Sequence, residues 1–360
     1  MISRPLTVVL IVPTGVGASI GGFAGDALPV ARAIGQVSDT LITHPNVLNG
    51  AQLYWPIPNA LYVEGYALDK FAQGCWGLQP VHQNRIGLIL DSGIEPDLQL
   101  RHLQAVDAAR ATLGLNITDY VLTDRPLNVE LRMSESGASW GTIANPDSLL
   151  RAAEKLITQA KVEAIAVVAR FPDDEGSLAL ANYRHGTGVD PLAGAEAVIS
   201  HLIVRTFKIP CAHAPALSPL PLDPHLSPRS AAEEIGYTFL SCVLAGLGKA
   251  PQFTVQKAQE NSQLSITADR VDAVVIPATA CGGSAILSLS GRSTVQIIAV
   301  GDNKTQMQAT PEKLGIKALQ VNSYLEAIGV LVALRTGISP ASLSADISPL
   351  RYLSNSTKQI

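Results

Sequence analysis

Three loops rich in small residues have the composition of ligand-binding loops, and each follows an apolar or extended run. The first is Pro13-Thr14-Gly15-Val16-Gly17-Ala18-Ser19-Ile20-Gly21-Gly22. Glycines let a backbone approach a ligand closely, and the N–H groups that follow can hold an anion. The loop is not the dinucleotide fingerprint, because Ile20 stands where the third glycine belongs. It also lacks the Gly-Lys-Ser/Thr ending of a phosphate-binding P-loop. The second loop, Met133-Ser134-Glu135-Ser136-Gly137-Ala138-Ser139, is dense in hydroxyls, and the third is Ala280-Cys281-Gly282-Gly283-Ser284. The ligand-binding set expected from them is Gly15, Gly17, Ser19, Gly21, Gly22, Ser136, Gly137, Ser139, Cys281, Gly282, Gly283 and Ser284. Each loop taken singly also fits a tight turn packed on its neighbours.

Proton transfer needs a titratable group in such a setting. His44 ends an apolar run in Thr43-His44-Pro45-Asn46, His185 sits in the Gly-rich Arg184–Asp190 stretch ahead of Glu196, and His213 opens a Pro-rich segment. A loop histidine serves as general base or metal ligand, or simply as a hydrogen-bonded structural residue. His82, His102, His201 and His225 have no special context. Asp302, in Gly301-Asp302-Asn303-Lys304-Thr305, and Asp91, before Ser92-Gly93, have the place of acids that orient a hydroxyl or a magnesium ion, or shape a turn. Cys281 is the one thiol in a nucleophile-like setting, against the alternative of a small buried residue. No H-E-x-x-H or G-x-S-x-G motif occurs, and the four cysteines are scattered as for reduced thiols.

The elements that must position these residues follow from periodicity. Apolar β-rich runs recur at 7–13, 40–44, 60–64, 85–91, 119–123, 163–170, 271–277 and 295–300. Helical periodicity occupies 26–37, 96–113, 146–160, 190–206, 228–247 and 322–336. This alternation predicts an α/β fold with largely parallel sheets flanked by helices, loops gathering at the strand ends. Pro96-Asp97 and Pro146-Asp147 mark helix starts, and Ser230 with Glu233 has capping-box spacing. The Pro-rich stretch 210–228 is read as irregular, a connection between an N-terminal half (1–208) and a C-terminal half (229–360) with a ligand cleft between them. Segment 249–270 reads as a polar surface excursion and 354–360 as a frayed end. GASIGGFAGDALPVARAI (17–34) aligns with GASWGTIANPDSLLRAAE (137–154), an echo of a duplicated loop-to-helix unit.

With 360 residues, 47% apolar and 16% charged, the chain can fill two cores, and low charge leaves room for a homo-oligomer interface. A net charge of −4 with no basic run argues against a nucleic-acid partner, and no apolar stretch is long enough to span a bilayer. Met1-Ile2-Ser3-Arg4-Pro5 leads straight into an apolar strand, which is read as a cytoplasmic N-terminus.

Six segments together resemble the family called domain of unknown function 3326: VPTGVGASIGGFAGDA, THPNVLNGA, LYVEGYALD, HGTGVDPLAGAEAVISH, EEIGYTFL and AVGDNKT. The resemblance spans nearly the whole chain, implies a cyanobacterial or plastid source, and supplies no reaction. VDAVVIPATACGGSAI is also faintly similar to phosphate acyltransferases, over that segment alone. The expected function is a transferase-type enzyme acting on a small anionic metabolite bearing phosphate or carboxylate. His44, His185 or His213 would move the proton, and Asp302 would orient a hydroxyl or a divalent metal such as magnesium. The alternatives are a non-catalytic metabolite sensor or assembly factor, and a metal-dependent hydrolase built on His185, Asp190 and His213.

Overall fold

The computed structural model describes residues 4–49, 53–173, 176–234, 240–255 and 265–352. The chain opens with strands β1 (Thr7–Leu10), β2 (Thr40–Thr43) and β3 (Ala60–Tyr62), followed by β4 (Trp76–Gln79), β5 (Ile86–Leu90) and β6 (Ile117–Leu122). Next come β7 (Val129–Met133), β8 (Ser139–Ile143), β9 (Ala164–Arg170) and β10 (Cys211–Ala216). The last are β11 (Gln252–Val255), β12 (Ala273–Pro277), β13 (Gln296–Val300) and β14 (Ala318–Val321). Between them lie helices α1 (Leu28–Val37), α2 (Pro45–Leu48), α3 (Gly65–Ala72), α4 (Pro96–Leu113), α5 (Pro146–Lys155) and α6 (Leu178–Arg184). The remaining helices are α7 (Ala193–Phe207), α8 (Pro228–Glu234), α9 (Leu240–Gly248), α10 (Ser284–Ser290), α11 (Pro311–Leu314) and α12 (Tyr324–Thr336).

Two parallel sheets result. The larger has six strands in the order β14-β13-β12-β1-β2-β3, and the smaller has four in the order β10-β9-β5-β6. Their central strands are covered on both faces, which explains their near-continuous apolar sequence. In β1, Val8 and Leu10 face one core while Val9 faces the other; in β9, Ala164, Ala166 and Val168 oppose Ile165, Val167 and Ala169. Each core takes residues from both sheets, so the sheets share their packing. The antiparallel pairs β7–β8 and β4–β11 stand apart from these sheets.

Helix signals hold where the local chemistry is strong. Pro96 and Pro146 occupy the first helical turn, and Asp97 and Asp147 follow them at the positive end. Ser323 caps α12 by accepting from the Glu326 N–H, and Gly337 ends it at φ 73°.

Several expectations are corrected. The stretch 210–228 is not wholly irregular, because Cys211–Ala216 forms β10, an edge strand of the smaller sheet that tolerates Pro215. The halves are not successive along the chain either: the six-stranded sheet joins 7–62 to 273–321 and encloses the four-stranded one. Ser230 makes no cap; it lies inside α8 and donates to the Arg184 carbonyl. Residues 139–143 form a hairpin strand where the aligned 19–23 form turns, so the internal echo is not one of conformation. Within 228–247 and 249–270, residues 235–239 and 256–264 lie outside the described residues, as do 353–360, which contain the expected frayed end; 252–255 is strand β11.

Candidate functional site

Seen from β1 outward, the six-stranded sheet runs in the doubly wound order, reversing between β1 and β12. Loops leaving adjacent strands diverge at such a reversal and leave a crevice at the carboxyl ends. A cavity of about 340 Å³ lies there. Pro13 and Thr14 reach it from the end of β1, His44 and Asn46 from β2, Glu64 from β3, and Ala280, Gly283 and Ser284 from β12. The opposite wall is one face of α7, where Ala193, Glu196, Ala197, Ser200 and His201 recur at helical spacing, together with His213 on β10 of the smaller sheet. Asp190 and Glu233 close one end.

A hydrogen-bonded chain crosses this wall. Glu64 is 4% exposed and caps α3 by accepting the N–H groups of Tyr66 and Ala67 through Oε2. Its Oε1 faces His201 Nε2 at 2.8 Å and accepts from Ser200 Oγ at 3.4 Å. Ser200 Oγ in turn lies 3.2 Å from His213 Nδ1. A serine hydroxyl has one proton; directed to Glu64, it leaves Ser200 to accept from Nδ1–H. The lone pair of His213 is then on Nε2, the nitrogen that lies 3.6 Å from Glu196 Oε2. Burial, the largest influence on His201, opposes its protonation, but the bond and charge of Glu64, helped by Asp69, raise its pKa overall.

The acids at the end of the cavity behave otherwise. Burial, then the charges of Glu233 and Glu196, push Asp190 well above the usual carboxylate range, against N–H bonds from Leu192 and Ala193. Glu233 is raised to about 7, first by burial and then by Glu196 and Asp26, although Tyr183 Oη–H and the Ala24 N–H donate to it. Burial likewise raises Asp69.

The expected residues sort into three groups. His44, His213, Gly283 and Ser284 line the cavity. His44 Nε2 accepts the Val12 N–H at 3.1 Å, and burial lowers its pKa to about 4, so the ring is neutral and held as a structural acceptor. The first Gly-rich loop lies beside the cavity with three of its amides engaged: Ser19 N–H binds Lys304 O, Ile20 N–H binds Asn303 Oδ1, and Gly21 N–H binds Asp26 Oδ1. Gly15, at φ 68°, bonds through its carbonyl to the Ser139 N–H, and Gly17 lies against Gly188 and Val189. Gly22 closes on the Ala18 backbone. Ser139 packs behind Gly15, its buried Oγ unbonded among the described residues, while Ser136 and Gly137 form the β7–β8 turn.

The third group lies away from the cavity. His185 pairs at 2.9 Å with Asp223 on the surface, so the trio His185, Asp190 and His213 does not assemble. Asp302 is exposed, and its neighbour Asn303 does the holding, bonded to Ile20 and Tyr324. Gly282 is exposed against Ala309, outside the lining. Cys281 is fully buried, donates to the Pro277 and Ala278 carbonyls and has its pKa raised to about 11, by burial and then Glu312, which corrects the nucleophile reading. Asp91 shapes turns by accepting from Gly93, Leu127 and Arg170 N–H groups. Among the described residues no three His, Cys, Asp or Glu side chains could hold a metal ion.

Glu64, Asp69, Ser200 and His201 were not singled out from sequence, although the segments 61–69 and 185–201 that carry the family resemblance contain all four. A second, more apolar cavity of about 410 Å³ shares Asp190, Pro215 and Glu233 with the first.

Comparison with known proteins reaches the level of family. The chain is 59% identical over 359 residues to an uncharacterised lipoprotein of Synechococcus sp., covering 100% of this chain and 99% of that protein. No helix among the described residues is long and apolar enough to cross a membrane. No solved structure matches the chain. The family described as protein of unknown function (DUF3326) matches residues 7–344, and the chain belongs to that family.

Proposed function

We propose that the cavity binds a small polar metabolite and carries out proton-transfer catalysis on it, with His213 as general base and Glu233 as general acid. The observation that carries this reading is the contact series Glu64–Ser200–His213, which orients the imidazole; with the Ser200 proton directed to Glu64, the His213 lone pair is on Nε2, beside Glu196. Glu233, with a pKa of about 7, keeps a proton to give near neutral pH. A transferase-type reaction fits this pair: the base takes a proton from the acceptor and the acid gives one to the leaving group. A phosphate or carboxylate on the substrate finds less support, since among the described residues neither Lys nor Arg lines the cavity.

The test is a thermal-shift screen of the whole chain against metabolites of each charge type, followed by turnover measured by NMR. His213→Gln is expected to keep ligand binding and lose turnover by about 10²–10⁴-fold, while His185→Gln keeps both. A ligand bound by the wild-type protein and left unchanged by it identifies a sensor instead of an enzyme.

A cytoplasmic location rests on the sequence reading alone, and the name of the Synechococcus relative speaks for lipid anchorage. Recovery in washed membranes favours the anchor; recovery in the soluble fraction favours the cytoplasm.

A further inference from the structure

We propose that the ligand of this cavity carries a protonated amine on a short carbon chain, which makes the substrate class a small aliphatic amine or diamine. The inference rests on the cavity being the functional site, as argued above. Glu64, Asp69, Asp190, Glu196 and Glu233 stand in its wall, and among the described residues no lysine or arginine joins them. Glu64 is satisfied by four protein donors. Asp190 is not satisfied in the same way. It is 6% exposed and accepts only backbone N–H groups, from Leu192 and Ala193; no side-chain cation pairs with it among the described residues. Among the described residues the one basic side chain paired with Glu196 is His213, at 3.6 Å, longer than a hydrogen bond. A carboxylate buried against a cavity is costly as an anion: without a counter-charge it holds a proton, as the raised pKa of Asp190 shows, and an ammonium group on a ligand lets it ionise.

The missing charge is organic rather than metallic in its geometry. The carboxylates are spread around the wall, and no three His, Cys, Asp or Glu side chains among the described residues converge on an ion. An ammonium group has three N–H donors and can reach oxygens that do not share one centre. Beside the acids, Ile11, Leu68, Ile276 and Ile286 offer apolar wall for methylene groups. The volume of about 340 Å³ suits a small molecule. An anionic group would meet the carboxylates of Glu64 and Glu196 and find no lysine or arginine among the described lining residues.

Titration calorimetry on the whole chain at near-physiological salt and about pH 8 tests this. The probes are 1,4-diaminobutane and 1,5-diaminopentane, with 1,5-pentanediol, glutarate and inorganic phosphate alongside. The diamines are expected to bind and the other three to give no heat. Asp190→Asn and Glu196→Gln are each expected to weaken the diamines about tenfold or more, with His185→Gln unchanged. Glu196 keeps the test independent of Asp190, which also holds the Leu192 and Ala193 N–H groups at the start of α7. Binding of the diol, glutarate or phosphate in place of the diamines, abolished by Glu196→Gln, overturns the amine assignment and leaves the cavity reading standing. Diamine binding that survives both substitutions, or no binding by any probe, overturns the assignment as well. A silent cavity in the wider thermal-shift screen is what overturns the functional reading itself.

Discussion

At the residue scale, Glu233 and His44 turn burial into opposite responses to pH. Glu233 has its pKa raised from 4.5 to about 7, first by burial, so between those values the folded chain keeps a proton that the unfolded chain releases. Its contribution is present below 4.5 and is lost as pH rises through about 7. His44, lowered from 6.5 to about 4 by burial, stays neutral when folded, and its contribution is lost as pH falls through about 4. Glu233→Gln keeps an acceptor for Tyr183 and removes only the first trend. The variant is therefore expected to gain stability over the wild type between pH 5 and 7.5, by on the order of 2 kcal/mol. Urea unfolding at the two pH values measures it, and an equal difference at both would contradict the assignment. Of the residues in the cavity, His44 and His213 were legible from sequence because a loop histidine beside glycine or proline is conspicuous. Glu64 and His201 were not, because one reads as an ordinary acid at a helix start and the other as an ordinary polar residue within a helix until the fold brings α3 and α7 together.

At the element scale, long runs with a single strong signal were legible: α4 is found at 96–113 as expected, and all eight expected strands occur. The short elements were not. α2, α6 and α10 have seven residues or fewer, and β10 reads CAHAPA, whose proline and histidine break the apolar alternation. Packing with neighbours, rather than local preference, decides such segments. Two glycines separate local from tertiary demand. A Cβ at Gly329, inside α12, meets nothing within 4 Å, so Gly329→Ala should stabilise the protein by about 0.5–1 kcal/mol. A Cβ at Gly246 would lie 2.5 Å from the Tyr62 ring, where α9, packed on the smaller sheet, meets the end of β3, so Gly246→Ala should cost about 1–3 kcal/mol. Urea midpoints report both, and a loss at Gly329 or a gain at Gly246 would reverse the packing argument.

At the scale of the whole molecule, the interleaving of the sheets sets what can be removed. A chain ending at 228 retains all four strands of the smaller sheet but loses β12, β13 and β14, stripping β1 of its partner on one side. It is expected to aggregate or be digested within 4–62, whereas the intact chain resists protease there; equal resistance would show that β1–β3 hold without β12. The division at 209–228 was not legible correctly because composition marks where proline accumulates and not which strands pair across the chain. The same pairing has a consequence for synthesis. Val8 and Val9 lie beside Ala273 and Val274, so the fully buried core strand made first waits for a neighbour made near the end. At about 5–20 residues per second that wait is on the order of ten seconds or more. Through that interval Thr7–Leu10 emerges from the ribosome as a bare apolar edge, and nascent-chain crosslinking at Val9 should find it held by a chaperone until β12 arrives.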